Sequence, residues 1–201
     1  MRPGLIAVFA AAVLMLYAPP AAAGPDKEHK YVGTKKCGTC HKKEPIGNQL
    51  AAWKESGHAK AWESLASDQA KEWAAERELG DPQQEEDCVR CHSTAHGVPD
   101  DRLSKKFDRQ DGVQCEACHG AGKDYRKKKI MVDRDESVSR GLVLQNEEVC
   151  LACHNDESPA WKTDRYTRAD GTKAGFDYDQ AIKEIAHPVP EDYDPSADEP
   201  D

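Results

Sequence analysis

Cys37-Gly-Thr-Cys40-His41 is a Cys-x-x-Cys-His stretch, and the chain repeats this pattern three more times. The later copies are Cys88-Val-Arg-Cys91-His92, Cys115-Glu-Ala-Cys118-His119 and Cys150-Leu-Ala-Cys153-His154, numbered here with the first as motifs 1 to 4. Together they contain all eight cysteines of the 201 residues. Two cysteines three residues apart lie on one side of a helical turn, so both thiols can reach the vinyl groups of one porphyrin. The following histidine then reaches the iron from the proximal side, and the pattern predicts four covalently attached haem c groups.

Two other uses of these cysteines are possible. The sequence separation between the pair Cys88/Cys91 and the pair Cys115/Cys118 is roughly that of a zinc ribbon. A disulfide framework is also compatible with an exported protein. Neither alternative needs a histidine after every cysteine pair, whereas all four motifs have one, so haem attachment is the favoured interpretation.

The first 23 residues have the features of a secretory signal peptide. Arg2 provides the positive region, and a short apolar run from Leu5 to Tyr17 follows it. Ala21-Ala22-Ala23 fits a cleavage site before Gly24. The apolar run is too short to span a bilayer, although an uncleaved anchor is the alternative. We therefore predict an exported protein, periplasmic or at the cell surface, that meets the membrane only through this peptide before cleavage.

Composition limits both the partners and the core. The sequence has 37 acidic and 28 basic residues and a formal net charge of −9, which argues against nucleic-acid binding. Only 38% of residues are hydrophobic, and three are phenylalanine, so an ordinary apolar core would be thin. Four porphyrins would supply the missing apolar surface. The predicted fold is one compact domain, residues 24–187, mainly α with long haem-wrapping loops around a core of four haems.

Three helices are predicted from periodicity and from helix-stop residues. The first covers Asn48 to Leu79 with a bend near Gly57, the second Asp135 to Leu142, and the third Asp179 to His187. No stretch alternates like a strand. Residues 188–201 form an acidic, proline-rich segment that we expect to be a disordered tail. The basic run 123–129 fits either a docking surface, a partner of haem propionates or a solvated loop.

Four histidines remain as candidates for the distal side of the irons: His29, His58, His96 and His187. A second imidazole closes an iron for electron transfer, whereas an empty position leaves it able to bind a small molecule. His58 lies on the predicted first helix and His187 at the end of the third, so both are strong candidates. His96 follows His92 too closely to reach its own haem but could serve a neighbour. His29 lies in a polar stretch and is expected to be exposed, with ligation of another subunit's haem as an alternative.

Several segments together resemble the tetrahaem cytochrome c-554 family. They are Tyr31-Val32-Gly33 before motif 1, Trp53-Lys54-x3-His58-Ala59-Lys60-Ala61, Asp87 before motif 2, Gly112-Val113 before motif 3, Gly120-x-Gly122 after it, and Ala152 within motif 4. The resemblance covers nearly the whole mature chain. The family is known from ammonia oxidisers, where it accepts electrons from hydroxylamine oxidoreductase.

The resemblance implies a ligand set. It points to His58 and His187 as distal ligands, and to three bis-histidine haems with one five-coordinate haem, that of Cys88, Cys91 and His92. The chain departs from the family after motif 3, where residues 129–135 contain no histidine and Arg134 stands near the expected position. An arginine does not ligate iron. The first haem is thus open, bound by Met131, or ligated by His96 or His29.

The leading functional prediction is a monomeric electron carrier, rather than an enzyme, between redox proteins of unknown identity. One alternative is reduction of a nitrogen oxide at a five-coordinate haem, where Arg134 could stabilise a bound anion or instead pair with a propionate. Another is a subunit of a cytochrome filament, in which His29 would ligate a haem of the neighbouring subunit.

Overall fold

The computed structural model describes residues 29–194. The predicted signal peptide and the last part of the predicted tail lie outside these residues. Within them the fold is mainly helical, with short α-helices joined by long loops. The helices are α1 Thr34–His41, α2 Gln49–Glu55, α3 Ala61–Ser64, α4 Asp68–Ala75, α5 Glu86–His92, α6 Cys115–His119, α7 Lys128–Met131, α8 Arg134–Ser139, α9 Glu147–Leu151 and α10 Tyr178–Ile185. None of the helices in this range is long and apolar enough to cross a membrane.

The long helix predicted from Asn48 to Leu79 is wrong, because three short helices occupy this range. α2 ends at Glu55, and the extended backbone of Ser56 follows it directly before Gly57, so the break falls where the sequence predicted only a bend. Ser67 is extended and caps α4 by accepting from Ala70 N. Serine side chains compete for backbone groups in this way, and helix propensity alone does not register it.

The other two predicted helices exist but end earlier. α8 starts at Arg134, capped by Asp133, and ends at Ser139, because Gly141 adopts φ 96°. α10 ends at Ile185 rather than at His187, since Ala186 is extended before the segment that leads to Pro188.

A small antiparallel sheet was not predicted. β1 Tyr166–Thr167 pairs with β2 Lys173–Ala174, with Tyr166 opposite Ala174. Two residues are too few to show alternation, so periodicity could not reveal these strands. The turn between them depends on Asp170, whose carboxylate accepts from the backbone N–H and the hydroxyl of Thr172.

The apolar core of the described residues is small, in agreement with the composition. Its buried hydrophobic residues are Tyr31, Val32, Ile46, Leu65, Ala74, Val89, Ala121, Tyr125, Ile130 and Ala174. Several polar groups are as deeply buried, among them Gln114, Glu116 and Ser137. Part of this core lies where the segment before α1 meets residues 102–107, because Tyr31 bonds with Arg102 and Ser104 and packs edge-on against Phe107.

Candidate haem sites

Each Cys-x-x-Cys-His motif lies on a short helix or its last turn. Motifs 1, 2 and 3 end α1, α5 and α6 respectively. Motif 4 begins on α9 and continues past it, where the amides of Cys153 and His154 both bond to the carbonyl of Cys150. The helical turn puts the two thiols and the histidine of each motif on one side. No disulfide joins any of the eight cysteines, all of which lie within residues 29–194.

Hydrogen bonds bring different motifs together in a defined order. Motif 1 lies beside motif 3, because the amide of Thr34 at the start of α1 donates to Gln114 Oε1 at 2.9 Å and the thiol of Cys115 donates to Thr34 Oγ1 at 3.8 Å. Motif 2 lies beside the segment that follows motif 4, because the guanidinium of Arg90 donates to the carbonyl of Glu157 at 3.0 Å.

A third contact joins these two pairs. Gln145, which precedes α9 and motif 4, donates from its side-chain amide to the carbonyl of Cys118 in motif 3 at 2.9 Å. Motifs 3 and 4 are therefore neighbours as well. The four motifs run in the spatial order 1, 3, 4, 2, which differs from their order along the chain.

Two of the candidate distal histidines face motif histidines. The ring centroids of His58 and His154 are 6.1 Å apart, with 60° between their planes. The rings of His119 and His187 are also 6.1 Å apart, at 79°. A metal bound at about 2 Å by one nitrogen of each ring separates the ring centres by roughly 6 Å. Each pair would therefore hold one iron between its two imidazoles.

Burial favours the neutral, metal-ligating form of three of these rings, those of His58, His119 and His154. It lowers the pKa of His58, and it lowers the pKa of His154 together with the charges of His58 and Arg165. The effect is largest at His119, where burial, with His187 and His41 nearby, lowers the pKa to about 4. A neutral imidazole has a lone pair for iron, so the electrostatics agree with the geometry.

Hydrogen bonds at Nδ1 orient the rings of His187, His92 and His41. His187 Nδ1 lies 2.7 Å from the carbonyl of Ile185, and His92 Nδ1 lies 2.7 Å from that of Ala61. His41 Nδ1 lies 3.1 Å from Gln49 Oε1. A carbonyl oxygen only accepts, so Nδ1 carries the proton and Nε2 is left for a metal. These second contacts are typical of histidines that ligate metals.

The break in the predicted long helix positions His58. This histidine lies in the turn between α2 and α3, not on a helix as predicted, and its carbonyl accepts from Val113 N at 3.0 Å. Gly112, at φ 76°, passes so close that a Cβ there would lie 2.7 Å from the same carbonyl. The segment before motif 3 thus fixes the position of His58, the candidate ligand that faces His154 of motif 4.

The structure does not pair the remaining candidates with a motif. His96 lies in the turn after α5, and no ring contact joins it to another histidine within residues 29–194. Arg134 is exposed at the start of α8, and Met131 is half-buried at the end of α7. Over the same range, no second imidazole faces His41 or His92 at 6 Å. The ligation of His96 therefore stays a prediction.

His29 differs from its expected exposure. Its side chain is only 18% exposed, its Nδ1 lies 2.6 Å from Asp124 Oδ2, and its ring packs on Gly141. These contacts hold the His29 ring within its own chain, so they do not favour its ligation of another subunit's haem.

Sequence reasoning missed Glu116, the second residue of motif 3. Its side chain is 2% exposed. The carboxylate accepts from the amides of Val32 at 2.8 Å, Gly33 at 2.7 Å and Gly122 at 2.6 Å. Burial raises the pKa of this carboxyl, and the three amides oppose the shift. The only signal in the sequence was an acidic residue between two cysteines, which says nothing about distant amides.

Known proteins are similar to this chain. A family model described as cytochrome c554 and c-prime matches residues 36–120. Cytochrome c-554 of Nitrosomonas europaea is 32% identical over an alignment 176 residues long. The match covers 77% of this chain and 73% of that protein. No solved structure matches the chain significantly.

The helical fold, the motif helices and these similarities define a c-type cytochrome, an electron carrier with covalently bound haem c. More particularly, the chain belongs to the cytochrome c-554 family.

Proposed function

We propose that this chain is an exported tetrahaem cytochrome that transfers electrons between redox proteins through four neighbouring haems. The observation that carries the proposal is the spatial order of the motifs, in which hydrogen bonds bring each attachment site beside the next. When bound, haem c supplies an iron that accepts and releases one electron. The four motif helices would hold the groups, and export would agree with the signal-like residues 1–23, since c-type haem is attached outside the cytoplasmic membrane.

The chain's own residues support a transfer role at two sites. His58 with His154, and His187 with His119, would close both faces of one iron each. A closed iron changes charge without exchanging a ligand, so little rearrangement accompanies the change. The small apolar core also fits, because the haem faces would provide the apolar surface that the side chains lack.

The ligand assignment is tested by spectra of the purified holoprotein. A haemochrome assay should give four haems per chain, and EPR should show at least two low-spin irons. His58→Ala and His187→Ala should each convert one further iron to high spin, whereas the double variant should convert two. Unchanged low-spin intensity in both single variants would refute the assigned pairs.

A second candidate function is reduction of a nitrogen oxide at a five-coordinate iron. The observation that favours it is that, among residues 29–194, no second imidazole faces His92 or His41. Binding of nitric oxide or cyanide would shift the visible spectrum of an open haem. An unchanged spectrum would eliminate this candidate, while His96→Ala would show whether that ring occupies a site in the loaded protein.

A further inference from the structure

Basic side chains are concentrated around motif 1 in a chain whose net charge is −9. Residues 30–44 contain five lysines and one glutamate, and residues 123–129 contain five basic residues and one aspartate. That aspartate, Asp124, already bonds to His29. Nearly all of these basic side chains are exposed, with Lys36 half-buried. We call the two segments together the basic surface.

The two segments form one surface because the backbone joins them. The amide of Lys123 donates to the carbonyl of Lys30 at 3.1 Å. Glu116 adds further links, since its carboxylate accepts from Val32 and Gly33 in the first segment and from Gly122 beside the second. The positive charges therefore stand side by side, although almost 80 residues separate them in sequence.

Buried anchors hold this surface at one end of the row of motifs. Tyr125 is 4% exposed and donates to the carbonyls of His119 and Gly120, both at 2.9 Å. Ile130 is also buried, so the chain between these two residues is held while its basic side chains point outward. Motif 1 lies beside motif 3 here, at one end of the order 1, 3, 4, 2.

The opposite charge surrounds motif 2 at the other end. Residues 63–87, which lead into α5, contain nine acidic and two basic residues. Glu86 and Asp87 lie in the first turn of α5, directly before Cys88 of motif 2. The two terminal sites of the row thus present surfaces of opposite sign.

We propose that the basic surface docks an acidic redox protein and makes motif 1 the site at which electrons pass between the two proteins. This inference rests on the proposed electron-transfer function and names the class of one partner. Long-range attraction to a localised charge raises association rates by about 10- to 1000-fold at low ionic strength. An acidic chain needs such a local reversal of sign to attract an acidic protein at all.

The test uses the holoprotein and reduced plant-type ferredoxin, an acidic one-electron donor. The variant Lys127→Glu/Lys128→Glu reverses two charges at the start of α7, where carboxylates favour a helix N-terminus and should not disturb folding. The control Lys71→Glu/Lys162→Glu changes the net charge equally, at exposed positions in α4 and after Trp161. Stopped-flow gives the second-order rate constant of haem reduction over a range of salt concentrations, and surface plasmon resonance on immobilised ferredoxin gives the affinity.

The variant should be reduced at least about 10-fold more slowly than the wild type at low salt, bind ferredoxin correspondingly more weakly, and show a flatter salt dependence. The control should stay within about twofold of the wild type. Equal slowing in both would mean that only net charge matters and would overturn the proposal. An unchanged rate with altered reduction potentials would also overturn it, because the lysines would then pair with propionates.

A small neutral reductant separates this inference from the proposed function. If it reduces the wild type and the variant equally fast while ferredoxin discriminates between them, docking is supported. If it reduces the wild type but ferredoxin does not, only the docking proposal fails. If neither reduces the haems, the electron-transfer function itself fails.

Discussion

Replacing Glu116 with alanine should strongly destabilise the protein. The carboxylate is the shared acceptor for the amides of Val32, Gly33 and Gly122, and its side chain is 2% exposed. Each buried donor that loses its partner costs about 1–3 kcal/mol. Three such donors, taken near the lower end of that range and with the lost packing, give a loss of about 3–5 kcal/mol.

Glu116→Gln separates the hydrogen bonds from the volume of the side chain. One amide oxygen still accepts, and the cost of burying a charge disappears, which is the cost that raises the pKa of this carboxyl. We expect a smaller loss, about 1–2 kcal/mol. Glu148, exposed in the first turn of α9, provides the matched control, and its replacement by alanine should cost less than about 0.5 kcal/mol.

The assay is guanidinium unfolding of the holoprotein followed by far-UV circular dichroism, since covalent haem stays attached in the unfolded chain. Domains have total stabilities of about 5–15 kcal/mol, so the alanine variant should still fold with a much lower midpoint. A loss below about 1 kcal/mol for Glu116→Ala, or the same loss for Glu148→Ala, would refute the reasoning that this carboxylate joins the N-terminal segment to motif 3.

Two further outcomes are expected. Gly112→Ala should displace His58 and convert one iron to high spin, because its Cβ would lie 2.7 Å from the His58 carbonyl. Gly171→Ala, at a similar φ of 83° with nothing within 4 Å, should leave the EPR spectrum unchanged. Tyr125→Phe removes the hydroxyl that donates to the His119 carbonyl and should cost about 1 kcal/mol in guanidinium unfolding of the holoprotein.

Local sequence was informative wherever covalent spacing decides the structure. Each motif lies on a helical turn as predicted, because three-residue spacing and the adjoining histidine are short-range features. The helix predicted at Asp179 is present as α10 for a similar reason, since its apolar residues recur at helical spacing. The helix predicted from Asn48 to Leu79 failed where Ser56 and Ser67 bond to nearby backbone groups, which composition does not reveal.

The sequence by itself predicted the haem-attachment residues and the candidates His58 and His187, and it determined the family. Only the tertiary structure decided that His58 faces His154, that His187 faces His119, and that the motifs run in the order 1, 3, 4, 2. The role of Glu116 also needed the fold. The physical reason is that a motif is specified by neighbours within one helical turn, whereas its opposite ligand and adjoining motif come from distant segments, whose meeting depends on how the whole chain packs.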